Sequence, residues 1–522
     1  MHLSANTVNV EFSSGGMVMG DEIQAVKVAR GASFILMQTL GTTVIQIVVF
    51  AAIARILTDV DMGIMAALTF VVGFSQVVVN LGLPTAAVKF TAGFLGKNDR
   101  EGAASVCYQT LKVSIILSSV AGAFCFVFSD AISFFLLKTT DYSVLFKILS
   151  LDIIVTGFWG GLSAGVIGLQ KFREVSIFNL IRLAVRQVFI LFALLSGYGL
   201  VGLVIAWFIG DLLNVILYSI VIFRSLGFPR FNFSLKRMLK FSYPLYFSGI
   251  VTFVNGWFDQ ALLLAFLSLG ELGVYSVALR AFGALTDAAG AMSVPLFPKY
   301  SEMHGSNGLR SVEKAIHGAS RYICYIVMPL AFGLLALATP AMLAFVGEQY
   351  LEATLPLGIL CFFYAITSIQ MAFSGILLVL EQTWLSLGIT VLNIIFGITF
   401  GVLLLPSLGI VGVSIARGLT MLLTFIISTW VLRRKMNLTF DKEAFWKSLV
   451  SSLVMITPLI VIQNVWSNAY LLPLYMGLGA LVYIVMLRIL KAARQSDIDL
   501  IKLYLGKKLE FLAKPLEFFL LG

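Results

Sequence analysis

The sequence predicts an all-α polytopic membrane protein of about fourteen transmembrane helices, arranged as two pseudo-symmetric six-helix lobes and two further C-terminal helices. Three observations predict it: the composition, the length of the apolar blocks, and a phrase that is written twice. Of 522 residues, 59% are hydrophobic and only 12% are charged, with a mean hydropathy of +0.98. A soluble chain carries about 25% charged residues, so no water-soluble surface can be built from this alphabet. The apolar residues fall in blocks of roughly 20, the helix length that crosses a bilayer's hydrocarbon core. Unbroken blocks of that length are helices and not barrel strands.

In chain order, the polar segment 1–30 comes first. It lacks the basic start and apolar run of a signal peptide, so no cleavage is expected. Spans follow near 31–54, 60–83, 104–128, 144–168, 176–197 and 200–223, and then near 243–268, 271–296, 315–338, 351–378, 384–405 and 409–431. The basic segment 224–242 separates these two sets. A basic loop opens 433–489, which carries the last two spans near 445–465 and 470–489. The tail 490–522 mixes basic and apolar residues, as an amphipathic segment lying on an anionic leaflet does.

Loop charges set the orientation. The face holding the N-terminus receives Lys27, Arg30, Lys97, Arg100, Lys171, Arg173, the run RSLGFPRFNFSLKRMLK (224–240), Lys299, Arg310, Lys314 and RRK (433–435). The opposite face receives Asp59, Asp61, Glu271, Glu348 and Glu352, with little that is basic beyond Arg55 and Lys138. Short cytoplasmic loops carry the Lys/Arg excess, so both termini are expected in the cytoplasm of a cell whose membrane the chain crosses many times. The net charge of +10 is then a topology signal, and no nucleic-acid partner is expected. Cys107, Cys125, Cys324 and Cys361 sit inside apolar blocks and read as core filling. His2, His304 and His317 are too scattered for a metal site, and no phosphate-cradling Walker loop occurs. No cofactor, metal or covalent chemistry is expected, so the chain does not read as an enzyme.

The doubled phrase is LTDVDMGIMAA from Leu57 and LSLGELGVYSV from Leu267, which places Gly63 on Gly273 at an offset of 210. The same offset places Ala51 on Ala261, Thr58 on Ser268, Gly73 on Gly283, Lys89 on Lys299, Arg100 on Arg310 and Gly165 on Gly375. It also places GLVGLVIA (199–206) on GIVGVSIA (409–416). Residues 31–223 and 243–432 are therefore two copies of a six-span unit. Six is even, so both copies enter the membrane from one face and the repeat is parallel. In transporters such repeats pack as two lobes that rock about a central cavity. A duplication kept for stability alone is the other reading.

Ionisable groups at membrane depth cost about 2.5–3.5 kcal/mol each and mark functional sites by default. They are Asp152, Arg182, Arg186 and Asp211 in the first copy, and Asp259, Arg280, Asp287, Arg321 and Arg417 in the second. Helix rise puts Asp259 level with Arg280, and Arg186 level with Asp211, so both are candidate pairs. Such pairs either neutralise each other structurally or belong to a cavity that leans positive, since five arginines face four acids. Guanidinium groups bind phosphate bidentately and stay charged when desolvated. Lys89 and Lys299 stand at equivalent ends of spans two and eight, either snorkelling or meeting a phosphate from inside. Asp152, Asp211, Asp259 and Asp287 are also the candidates for coupling to a cation, H+ or Na+.

The phrases ARILTDVDMGIMAAL, LGLPTAAVKFTAGFLGKND and LGELGVYSVALRAFGAL resemble the polysaccharide transporters of the multidrug/oligosaccharidyl-lipid/polysaccharide (MOP) flippase superfamily. The resemblance implies two six-helix lobes in an inverted V. It also implies movement of a polyprenyl-(pyro)phosphate-linked oligosaccharide to the outer leaflet, with membrane lipids as the surroundings and a basic cavity for the phosphate. Arg280, inside VALRAF, is the first position it points to, and the two extra spans would offer the lipid tail a groove. A lipid II flippase and a cation-coupled multidrug antiporter of the same superfamily remain as alternatives, although span one holds Gln38 and Gln46 and no acid. A membrane scaffold or polymerase subunit is the non-transport reading.

Overall fold

The computed structural model describes residues 41–492 apart from Val44, 230–232 and 466–467. The expectations for 1–30, for the first part of span one and for the tail beyond 492 lie outside the described residues. The first lobe is built from α1 (Gly41–Ile56), α2 (Asp59–Asn80), α3 (Leu83–Leu95), α4 (Arg100–Val127), α5 (Ser129–Leu137), α6 (Ser143–Gly168), α7 (Phe172–Leu195) and α8 (Gly199–Leu226). The second repeats the plan with α9 (Leu235–Phe266), α10 (Leu269–Ser293), α11 (Leu296–Asn307), α12 (Leu309–Ala336), α13 (Ala338–Phe345), α14 (Thr354–Thr367), α15 (Ile376–Val379) and α16 (Thr383–Arg433). Helices α17 (Lys442–Val465) and α18 (Leu472–Ile489) then pack beside α12.

Among the described residues, eleven helices are long and apolar enough to cross a membrane, counting the run Glu348–Val379 that contains α14 and α15 as one. One of them, α16, has 51 residues, about 76 Å at 1.5 Å per residue, against a hydrocarbon core of about 30 Å. Pro406 and Gly409, whose φ is 55°, divide it into two spans running in opposite directions. Helix α10, diluted by Glu271, Arg280 and Asp287, and α1 complete fourteen.

The short helices are what the spans alone did not reveal. Span two stops at Leu81 and Gly82, both with positive φ, and α3 turns away from it along the basic face. Helix α11 follows α10 in the same order, but through Val294 and Pro295, whose φ are −54° and −74°. Helix α9 begins at Leu235, inside the segment expected to be a linker, because Met238 and Phe233 are buried with Leu83, Ala87 and Val106.

The doubled phrase is a helix start. The Thr58 hydroxyl accepts from the Asp61 N–H at 3.2 Å while the Asp61 carboxylate accepts from the Thr58 N–H at 3.2 Å. Ser268 and Glu271 make the same reciprocal cap at 3.3 and 3.1 Å, so each phrase is a capping box. Two turns of the two copies then touch backbone to backbone. A Cβ on Gly63 would lie 1.9 Å from the Leu269 carbonyl oxygen, and one on Gly273 would lie 1.9 Å from that of Asp59. Only glycine permits this crossing.

Around the crossing, the last carbonyls of α1 have no partner within their own helix, and the second lobe supplies one. Gln349 donates to the Ala54 and Leu57 oxygens at 2.6 and 3.2 Å, and the Tyr350 hydroxyl donates to Leu57 O at 3.1 Å. Arg55 returns the bond, donating to the carbonyls of Ala344 and Phe345. The lobes are thus latched at the face opposite the basic loops. Gly63→Ala forces a Cβ into the Leu269 carbonyl and should open that latch. A membrane-impermeant maleimide added on that face should label Leu57→Cys, buried in the native protein, about tenfold faster for each 1.4 kcal/mol of destabilisation. Unchanged labelling would show that the crossing is not the closure.

Candidate functional site

In the first lobe, α7 and α8 bring three of the expected residues together. Arg182 Nη1 lies 2.5 Å from Asp211 Oδ1, and Arg186 Nη1 lies 3.9 Å from Asp211 Oδ2. The arginines are four apart and share one helix face. Gly210 lets α8 come against them, since a Cβ there would stand 2.8 Å from the Arg186 Cβ. Each guanidinium also faces an indole: Arg182 lies 5.0 Å from Trp159, and Arg186 lies 4.8 Å from Trp207, geometries that favour a cation. Asp152 on α6 is buried and faces Asp211, Arg186 and Arg182. The level of the expected Arg186–Asp211 pair is right, but Arg182, one turn nearer the basic face, makes the direct bond.

In the second lobe the expected Asp259–Arg280 pair does not form. Asp259 on α9 is fully buried, and its Oδ2 accepts from Arg417 on the second limb of α16 and from the Tyr275 hydroxyl at 2.8 Å. Helix rise fixed the depth of Asp259 and Arg280 but not the direction each faces. Arg280 points from α10 toward α1 instead, where its Nη2 donates to Gln46 Oε1 at 2.5 Å and its guanidinium lies 5.9 Å from the Phe50 ring. Asp287 is exposed two turns further along α10.

The remaining candidates lie apart from both clusters. Arg321 donates to Ala492 O at 2.9 Å, and the Tyr325 hydroxyl joins it there at 3.0 Å, so both hold the end of α18. Lys89 sits 3.9 Å from the Phe241 ring. Lys299 pairs with Glu302 at 3.1 Å. Both lysines are exposed, on α3 and α11, in unlike surroundings.

Two cavities meet these residues. An apolar groove of about 710 Å³ is bounded by α1, α10, α12, α13, α17 and α18, with Arg280 on its wall. A second cavity of about 570 Å³ lies inside the second lobe and includes Arg417. Sequence reasoning missed Gln46 and Tyr275 as partners, because uncharged polar residues are common in any span. Breaking the buried pair tests its energetics: Asp259→Asn should cost about 3–5 kcal/mol by leaving Arg417 uncompensated. Asp259→Asn with Arg417→Gln should recover most of the loss in thermal unfolding in detergent. A double variant no more stable than the single one would show that the two residues are not coupled.

Comparison with known proteins places this architecture. A model of a polysaccharide biosynthesis protein family matches residues 52–355. The succinoglycan biosynthesis transport protein ExoT of Rhizobium meliloti (strain 1021) is 27% identical over 349 residues, covering 66% of this chain and 67% of that one. A probable low-salt glycan biosynthesis flippase of Haloferax volcanii is 25% identical over 282 residues, covering 52% of this chain and 60% of its own. The fold is similar to that of the lipid II flippase MurJ in an inward closed conformation, with a TM-score of 0.71 at 16% identity over 91% of this chain and 100% of that one. It is also similar to an inward-facing multidrug resistance MATE family transporter of the MOP superfamily, with a TM-score of 0.58 at 15% identity over 80% and 95%. At such identities the structural likeness carries the fold alone. The sequence match, which runs from α1 through both capping boxes and the crossing glycines into the second lobe, assigns the family: this chain belongs to the polysaccharide biosynthesis proteins.

Proposed function

We propose that the protein is a flippase that carries a polyprenyl-(pyro)phosphate-linked oligosaccharide from the cytoplasmic to the outer leaflet by alternating access, without covalent chemistry. The observation that carries this reading is the position of Arg280. It stands at the seam between the lobes, held by a neutral amide, and on the wall of a groove of about 710 Å³ whose other lining is almost wholly apolar. A phosphate can displace the Gln46 amide and take two charge-assisted hydrogen bonds from the guanidinium. The groove between α12, α17 and α18 suits a hydrocarbon tail, while the sugars pass between the lobes. Both termini lie in the cytoplasm on this reading.

The relatives named for glycan transport support the substrate class. The antiporter alternative is disfavoured because the described part of α1 presents Gln46 and no acid. Asp259 and Asp211 are held by arginines, so the exposed Asp287 is the acid best placed to exchange with a coupling cation.

The test uses purified protein in liposomes that contain a fluorescent polyprenyl-pyrophosphoryl sugar and follows its exposure to an impermeant quencher. Wild type should move the label. Arg280→Ala should slow it by roughly 10- to 100-fold, the loss of a charge-assisted hydrogen bond worth about 1.5–3 kcal/mol. If wild type moves no label but exports a lipophilic cation against a pH gradient, the antiporter reading replaces this one.

A further inference from the structure

The two lobes share a plan but not a fourth span. In the first lobe α6 is one unbroken helix, and Gly157, Gly161 and Gly165 stand against Ser118, Ser114 and Cys107 of α4. A Cβ there would meet them at 2.3, 3.0 and 3.1 Å. Glycines four apart form the stripe that lets helices pack closely in an apolar medium. At the offset of 210 the second lobe has Thr367, Met371 and Gly375, facing a helix that carries Met328 and Cys324 in place of Ser118 and Ser114. The glycine stripe is interrupted and the helix gives way. Helix α14 ends at Thr367, a 3-10 segment runs over Ser368–Phe373, and Gly375 takes a φ of 79° before α15. Non-helical backbone at membrane depth persists only where protein buries it or where it lines a cavity. Here it lines the cavity of about 570 Å³.

That cavity has the chemistry of neither a tail site nor a phosphate site. Gln260 and Gln370 bring amides that both donate and accept, beside the Tyr364 ring. The Thr367 and Thr424 hydroxyls donate to Phe363 O and Thr420 O, and Asn393 donates to Thr424, which leaves the hydroxyl lone pairs and the Asn393 oxygen to accept. Arg417 reaches it already neutralised by the buried Asp259. Two glycines face open space: a Cβ on Gly256 or Gly283 meets nothing within 4 Å among the described residues. The first-lobe equivalent of Gly283, Gly73, is instead packed 3.1 Å from the Phe253 ring. The volume falls among the 300–1,000 Å³ of small-ligand sites.

We infer that this second-lobe cavity is a saccharide subsite, which holds an uncharged, hydroxyl-rich sugar unit of the glycan while Arg280 holds the phosphate. The assignment rests on the lipid-linked glycan reading. Its occupant is matched by amides, hydroxyls and a ring face, and by the absence of an uncompensated charge among the described lining residues.

A Cβ on Gly283 meets no described atom within 4 Å, so Gly283→Phe starts a ring into the cavity. The test compares wild type, Gly283→Phe and Gly477→Phe, the last a helical glycine of α18 that is exposed and also faces open space. Two readouts are taken on folded protein of matched thermal stability. One is equilibrium binding of the free oligosaccharide released by mild acid from the lipid-linked pool of the producing cells. The other is flipping of the glycosylated lipid against flipping of unglycosylated polyprenyl phosphate. Gly283→Phe should lose oligosaccharide binding and slow glycosylated-lipid flipping by about tenfold or more, equivalent to about 1.4 kcal/mol, with the unglycosylated lipid unaffected. Gly477→Phe should behave as wild type. If Gly283→Phe binds and flips like wild type, the subsite is overturned while the flippase stands. If wild type binds no oligosaccharide, the subsite is overturned outright. If wild type binds sugar at a Gly283-sensitive site but flips no lipid, the transport reading falls and the subsite remains.

Discussion

The contact between Gly63 and Gly273 sets where everything else can be. Each glycine accepts the backbone of the other copy where its own Cβ would stand, so α2 and α10 meet with no side chains between them. The capping boxes at Thr58 and Ser268 start both helices just before the crossing and fix which residue arrives there. Arg280 follows Gly273 by seven residues, about 10 Å along the helix, and so stands at a set depth against Gln46 on α1. Along the other seam, Phe70 and Phe74 of α2 pack on Phe253 and Trp257 of α9. A rocking motion about the crossing therefore has to separate Arg280 from Gln46. On the proposed reading, substrate phosphate and lobe position compete for the same guanidinium.

The buried charges show why one arginine differs from the rest. In low dielectric a lone charge is costly and a paired one is tolerated. Arg182 and Arg186 share Asp211 with Asp152 nearby, Arg417 has Asp259, and Arg321 is spent on the end of α18. The positive excess suggested by counting five arginines against four acids is thus not spread through the interior. Arg280 differs in donating to a neutral amide, with the exposed Asp287 on the same helix acting on its charge, and on the proposed reading it is the arginine that meets an anion.

Much of this was legible in the sequence, and the limits have physical causes. Composition and block length gave the spans, and the 210-residue offset gave the lobes, because both are long-range regularities that local structure does not disturb. Helices α3, α5, α11 and α13 were not legible, since pieces of 8 to 13 residues adjoin longer helices without a change in composition. Depth followed from helix rise, so Arg186 and Asp211 were placed at one level. Rotation about the helix axis did not follow, so Asp259 was matched to Arg280 when Tyr275, five residues earlier on α10, is the side chain that faces it.

The divergence of the fourth spans then has a direct physical reading. A duplicated unit begins with two identical lobes, and in the first the glycine-against-serine packing closes the seam between α4 and α6. In the second lobe Thr367 and Met371 stand at the positions of Gly157 and Gly161 and line the cavity, while Met328 and Cys324, at those of Ser118 and Ser114, are buried against Ile369. Backbone groups released by the unwound segment need partners, which makes the new space polar at its lining, and a polar space in a membrane protein must hold water or a ligand. The first lobe keeps its charges packed and its helix whole. The second lobe carries the space. An exchange of packing for volume in one copy alone is what a transporter needs if its cargo is to be gripped by one lobe and released as the other swings away.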